Sequence, residues 1–230
     1  MSSFTVNSSN PNQKWRMLAL IWLVYACFGI TVGSFPPLVS FISKDLDLSS
    51  TEMGLVLGAW QLVYIFTASP IGTLIDKHGV RKSVTIGMLI ILVSLVLRTF
   101  AFDFLTLFIT VGLFGIGGPI ISIGAPKVVS EWFEGKERGF AAGVYTTAPL
   151  AGVAIAIATA ASVVEPLTGS WRGIALVYGS IISLVLVLWF LASSDPPNTT
   201  RNIHNRSPYQ RSRLSDLLKI RNVQIVLLLA

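Results

Sequence analysis

The sequence predicts an all-α integral membrane protein: a six-helix bundle of two inverted three-helix repeats. Three observations carry this. The 230 residues are 53% hydrophobic and only 12% charged, about half the ~25% charge of soluble domains. Six apolar runs each approach the ~20 residues that a helix needs to cross a bilayer. Short motifs in the first three runs recur, in order, in the second three.

Residues 1–14 form a polar, Ser- and Asn-rich tail that is expected to be disordered and cytoplasmic. The bundle is expected over 15–194. Its first run, Met17 to Ser43, lacks charge and is too long for a signal peptide. Gly29, Gly33, Pro36 and Pro37 predict a broken outer end to this span. Ser49-Ser50-Thr51-Glu52 reads as a helix start with acid in the first turn, opening a second span over Met53 to Ile75. The third span covers Ser83 to Phe102 and the fourth Phe104 to Pro126, with Asp103 between them. Lys127 to Gly139 reads as a charged connector. The fifth span is Phe140 to Val164 and the sixth Gly173 to Ser194. Residues 195–221 form a basic cytoplasmic loop in which Leu214 to Ile220 suggests a short surface helix. Residues 222–230 read as the start of a truncated seventh span.

Charge sets the orientation. With a cytoplasmic N-terminus, 14 of the 17 Lys and Arg residues fall on the cytoplasmic side, leaving Lys44, Arg98 and Arg172 outside. The net charge of +6 therefore follows membrane topology, and no soluble basic-aromatic segment points to nucleic acid. The repeat rests on Phe28-Gly29-Ile30 and Phe114-Gly115-Ile116, on Tyr64, Pro70 and Gly72 against Tyr145, Pro149 and Gly152, and on Ser94–Leu97 against Ser183–Leu186.

The hairpin between the second and third spans holds the most specific pattern. Gly72 suits close backbone approach, Gly79 suits a turn at positive φ, and Asp76, Arg81 and Lys82 sit where apolar sequence meets water. Gly72-x-Leu74-x-Asp76-x-x-Gly79-x-Arg81-Lys82 resembles the signature loop of the major facilitator superfamily, with Val80 standing where a basic residue is common. Glu131-Trp132-Phe133, Lys136-Glu137-Arg138-Gly139 and Trp171-Arg172 are similar to that family's later connectors, so the resemblance covers Trp15 to Ala230. The sequence is also similar in texture to the cyanate and small-anion permease branch.

The resemblance implies the first half of a twelve-helix transporter with a central cavity open alternately to each side. It places spans one, two, four and five around that cavity and three and six outside it. It also implies that Asp76 docks on the facing half and helps to hold an outward-open state, with Gly72, Leu74, Gly79, Arg81, Lys82, Glu131 and Arg138 as the accompanying gate. Arg81 is expected to pair with Glu131, and Arg138 with Asp76 or Glu131.

Polar side chains within the spans need partners and should face inward. Tyr25, Trp60, Gln61, Tyr64, Ser122, Tyr145 and Thr146 are the candidate cavity residues. Arg98 is expected to snorkel to the outer surface beside Asp103. Val111 stands four residues before Gly115, where many proton-coupled members carry arginine, and four spans lack a mid-span acid, which disfavours proton coupling through this half. No nucleophile–base pair, metal cluster or nucleotide loop is evident, so no enzymatic activity, catalytic residue, metal or cofactor is expected. Membrane lipid, a small-molecule substrate and a co-transported ion are the expected partners, and a monomer the expected state, in a plasma or inner membrane. Efflux antiport of drug-like compounds and a non-transporting receptor or scaffold are the alternatives.

Overall fold

The computed structural model describes residues 11–196. Among these, six helical stretches are long and apolar enough to cross a membrane, and no strand occurs. A bilayer offers backbone groups no water, so each stretch must satisfy them internally. The first span is α1 (Pro11–Gly33), a 3₁₀ turn at Pro36–Leu38 and α2 (Val39–Asp45). Its predicted break falls at Ser34-Phe35, just before the prolines. Ser34 N–H donates to the Ile30 carbonyl at 2.9 Å and its hydroxyl donates to the Thr31 carbonyl at 3.0 Å, so the interruption leaves few stranded groups.

The second span is α3 (Ser50–His78), opened by a reciprocal cap: Ser49 N–H donates to Glu52 at 2.9 Å and Glu52 N–H donates back to the Ser49 hydroxyl at 3.3 Å. Gly79, at φ +83°, turns the chain directly into α4 (Val80–Arg98). Asp103 caps α5 (Phe104–Trp132), accepting from Thr106 N–H at 2.8 Å. Bonds from the Thr106 side chain and backbone hold the Asp103 carboxyl below the usual carboxylate range. The fifth span is α6 (Gly135–Thr159), a π-helical turn at Ala160–Val164 and α7 (Glu165–Thr168), and α8 (Trp171–Ala192) is the sixth.

One connector departs from expectation. The charged stretch 127–139 is mostly helical, and only Phe133 and Glu134 separate α5 from α6. A 29-residue helix is about 44 Å long, well beyond a ~30 Å hydrocarbon core, so α5 carries Lys127 and Glu131 past the apolar slab on helical backbone. The expected loop helix at 214–220 and seventh span from 222 lie outside the described residues, as does most of the 1–14 tail, although α1 already begins at Pro11.

The pairing of helices is that of an inverted repeat. α1 packs along α6 and α3 along α5, and exchanging the first triplet (α1, α3, α4) with the second (α5, α6, α8) converts one pair into the other. Phe28 and Phe114, from the recurring Phe-Gly-Ile motifs, stack on each other at 5.3 Å between ring centroids, where the two triplets meet. The register of the second match is corrected. A Cβ at Gly152 would overlap the Ala26 carbonyl, whereas one at Gly72 would meet nothing within 4 Å among the described residues. Gly152 thus permits the α1–α6 contact and Gly72 has no equivalent role here. Lipid is as apolar as leucine, so small residues and close packing, rather than expulsion of water, hold such helices together.

Arg172 clasps the end of the bundle remote from the signature hairpin. It pairs with Asp45, donates to the carbonyls of Thr99 (3.2 Å) and Ala101 (2.8 Å) and lies 4.4 Å from the Trp171 ring centroid. Trp171 Nε1 donates to the same Asp45 oxygen at 3.1 Å. One guanidinium therefore joins α8, α2 and the α4–α5 turn, which explains a Trp-Arg pair at this position. Arg172→Ala should destabilise the fold by about 1–2 kcal/mol, since the ion pair is half exposed and the two carbonyl bonds dominate. Thermal unfolding in detergent should show a midpoint lowered by roughly 2–8 °C, and Arg172→Lys should recover less than half, because a point charge cannot match a planar fork.

Candidate functional site

Five of the seven candidate cavity residues converge. Tyr25 on α1 lies 6.3 Å from Tyr145 on α6 and 5.7 Å from Phe28. Phe28 meets Trp60 at 6.2 Å, and Trp60 meets Tyr64 at 6.2 Å and Phe114 at 5.5 Å. Tyr64 and Ser122 share a 2.7 Å hydrogen bond between α3 and α5. The result is an aromatic wall across α1, α3, α5 and α6, with three phenol groups on it. A side chain at Gly115 would overlap the Trp60 carbonyl, so the glycine lets α5 bring Phe114 onto this wall. Thr67 closes the same seam, donating to the Gly115 carbonyl at 2.9 Å.

The other two candidates behave differently. Gln61 is exposed at residue level but lines a cavity of about 220 Å³ near the far end, together with Thr31, Phe35, Trp60 and Phe114. Thr146 is exposed and donates to the Ala142 and Gly143 carbonyls of its own helix.

Arg98 is the main correction. It does not reach the surface beside Asp103: it is 4% exposed, and Asp103 is occupied as a helix cap. Arg98 instead lines the 220 Å³ cavity, its guanidinium carbon 5.3 Å from the Phe35 ring centroid and 5.9 Å from that of Phe114. Nη2 donates to Ser94 at 3.2 Å, and Nε is buried without a partner among the described residues. The third span therefore contributes a side chain to an interior that the resemblance assigned to its neighbours. Two signals in the sequence pointed this way: an ionisable residue inside a span defaults to function, and Ser94 sits one turn before it.

At the opposite end, the signature hairpin is buttressed by its own half. Asp76 pairs with Lys127 of α5 rather than with Arg138, which is exposed. Lys127 is within reach because α5 continues through it. The Asp76 side chain remains 73% exposed, so its other side stays accessible. Arg81, expected toward Glu131, reaches the last turn of α8: Nε donates to Ser193 at 3.0 Å, Nη2 to the Phe190 carbonyl at 3.2 Å, and Nη1 lies 3.8 Å from Asp195. Trp189 Nε1 donates to the Arg81 carbonyl at 3.3 Å, closing the α4–α8 joint. Leu74 and Lys82 are exposed. Lys14 pairs with Glu137, so the start of α1, the α3–α4 turn, the α5–α6 turn and the end of α8 share this end, as the charge count requires.

Among the described residues no group of three or more His, Cys, Asp or Glu side chains could hold a metal ion.

The sequence profile of the Major Facilitator Superfamily matches residues 21–230. The chain is 30% identical over 151 residues to a probable L-galactonate transporter of Escherichia coli, covering 65% of this chain and 33% of that protein. It is 30% identical over 135 residues to a nitrate/nitrite transporter of Nostoc punctiforme, covering 58% of this chain and 27% of that one. A bacterial homologue of the human lysosomal transporter Spinster, solved in an inward-facing and unoccupied conformation, matches with a TM-score of 0.72 over 83% of this chain and 45% of its own. At 19% identity that likeness is one of fold. The chain spans about half the length, or less, of these relatives. The profile match, the hairpin and the inverted helix pairing together place the chain in the major facilitator superfamily.

Proposed function

We propose that this chain forms the first six-helix half of a secondary carrier that moves a small solute across a plasma or inner membrane by alternating access. The signature hairpin faces the cytoplasm and acts as a gate. The observation that carries the reading is Asp76: a carboxylate paired with Lys127 yet 73% exposed, in the last turn of α3 before the hairpin turn. A charge so placed is available to a facing half, and a bond made in only one state biases the equilibrium between states. A small anion is the favoured cargo, because the relatives' names refer to galactonate and to nitrate or nitrite. The aromatic wall with Tyr25, Tyr64 and Tyr145 offers apolar faces and hydroxyl donors of the kind that orient such a solute.

The test is counterflow in proteoliposomes holding the natively encoded protein. Preloading with unlabelled galactonate or nitrate should drive saturable uptake of the labelled anion above protein-free vesicles. Absence of saturable flux with both overturns the small-anion reading. Modification of a cysteine at position 136 by an impermeant reagent added outside cells overturns the orientation.

A further inference from the structure

We propose that the cavity around Arg98 is an anion-binding site, taking a small planar oxyanion or a carboxylate against the guanidinium. Arg98 sits at the end of α4 with 4% of its surface exposed. An arginine keeps its charge when buried, and a buried charge is paired in nearly all stable structures. Here no such pair is found among the described residues. None of the ion pairs among the described residues includes Arg98. Three acids of the helix ends are engaged elsewhere: Asp45 with Arg172 and Trp171, Glu52 with Ser49, and Asp103 with Thr106. Among the described residues the guanidinium has one hydrogen bond, to Ser94, and two aromatic neighbours. Nε has no acceptor among the described residues.

The charge borders a cavity. The cavity of about 220 Å³ corresponds to roughly seven water volumes at ~30 Å³ each, below the ~300 Å³ at which pockets for drug-sized ligands begin. It suits a small anion. Gln61 lines it and supplies amide donors. Thr31 also lines it, and its hydroxyl proton is directed to the Cys27 carbonyl at 2.9 Å. The flat guanidinium fork favours carboxylates and planar oxyanions, which it binds through parallel hydrogen bonds. The Phe35 and Phe114 rings beside the guanidinium lower the local polarity, which strengthens a charge interaction there.

The proposal deepens the carrier reading and rests on it only for the anion being cargo. The test is therefore equilibrium binding. Isothermal titration of the natively encoded protein in nanodiscs with nitrate and with galactonate, at constant ionic strength, should show saturable binding of at least one. Arg98→Gln should weaken that binding about tenfold or more, the scale of one charge-assisted contact. Val111→Asp places a tethered carboxylate on the cavity wall while leaving Arg98 intact. It should abolish anion binding and raise the thermal midpoint, which the loss of a merely structural Ser94 contact would not explain. Binding of neither anion to the unmodified protein overturns the site. So does affinity within twofold of that protein in Arg98→Gln, or in Val111→Asp should Arg98→Gln fail to fold. Counterflow on the same samples keeps the two readings apart. Flux with Arg98-independent binding removes this site and leaves the carrier. Arg98-dependent binding without flux leaves the site and removes the carrier.

Discussion

Gly152→Val is expected to lower the thermal midpoint of the protein by roughly 10 °C, the equivalent of about 3 kcal/mol or more. A Cβ at this position would overlap the Ala26 carbonyl and approach Ile30 N to 2.8 Å, and both belong to helical backbone that no rotamer change can move aside. α1 and α6 would have to separate along their length. That would also break the contacts at Gly29, whose Cβ would overlap the Pro149 carbonyl. The matched control is Gly143→Ala on the same helix, where a Cβ meets nothing within 4 Å. There alanine should be neutral or slightly stabilising, since it is the better helix former by up to about 1 kcal/mol. Thermal unfolding of the two variants in one detergent separates a packing requirement from a general intolerance of substitution. Equal midpoints would show that the α1–α6 seam does not depend on close backbone approach.

The contrast between Gly152 and Gly72 shows what the sequence could and could not convey. Both lie two or three residues after a proline in matching spans, and nothing local separates them. Only the helix pairing does, and apolar sequence carries little directional information about which neighbour a face meets. The spans themselves were legible because a bilayer imposes a length, and their ends because charge cannot remain in hydrocarbon. The Ser49–Glu52 start and the Gly79 turn were legible for local reasons, a reciprocal cap and a positive φ.

The candidate site was legible in part, and the misses share a cause. Aromatic and hydroxyl groups inside charge-free spans had to face inward, so Tyr25, Trp60, Tyr64, Ser122 and Tyr145 were found. Sequence does not point to Lys127 as the partner of Asp76, because a change from apolar to charged residues reads as the end of a helix, whereas α5 continues to Trp132. Sequence alone places Arg98 at the surface, because it lies five positions before Asp103. The chain turns at Thr99, however, and the arginine side chain projects back into the bundle. In both cases the linear distance to a charge was a poor guide to the direction of a side chain on a helix.

Asp76→Asn is expected to reduce counterflow roughly tenfold while leaving stability nearly unchanged. The two effects differ because two partners are involved. Within this half, Asp76 pairs with Lys127 at a largely exposed position, where such a bridge contributes less than about 1 kcal/mol. Toward a facing half, the proposed gate needs the negative charge itself. Asparagine keeps an acceptor but loses the charge-assisted bond, a difference of about 1.5 kcal/mol, or roughly tenfold in the population of the state that the bond holds closed. A second variant separates the partners. If Asp76 serves only to neutralise Lys127, then Asp76→Asn combined with Lys127→Gln removes both charges and should restore flux. If Asp76 docks across the gate, the double variant should stay as slow as Asp76→Asn alone, and Lys127→Gln by itself should retain most of its flux. Counterflow rates for the three variants, normalised to reconstituted protein, form a double-mutant cycle whose coupling term decides between the two roles. Full flux in Asp76→Asn would remove the hairpin carboxylate from the gate altogether and leave the hairpin as a rigid joint held by Arg81 and Trp189.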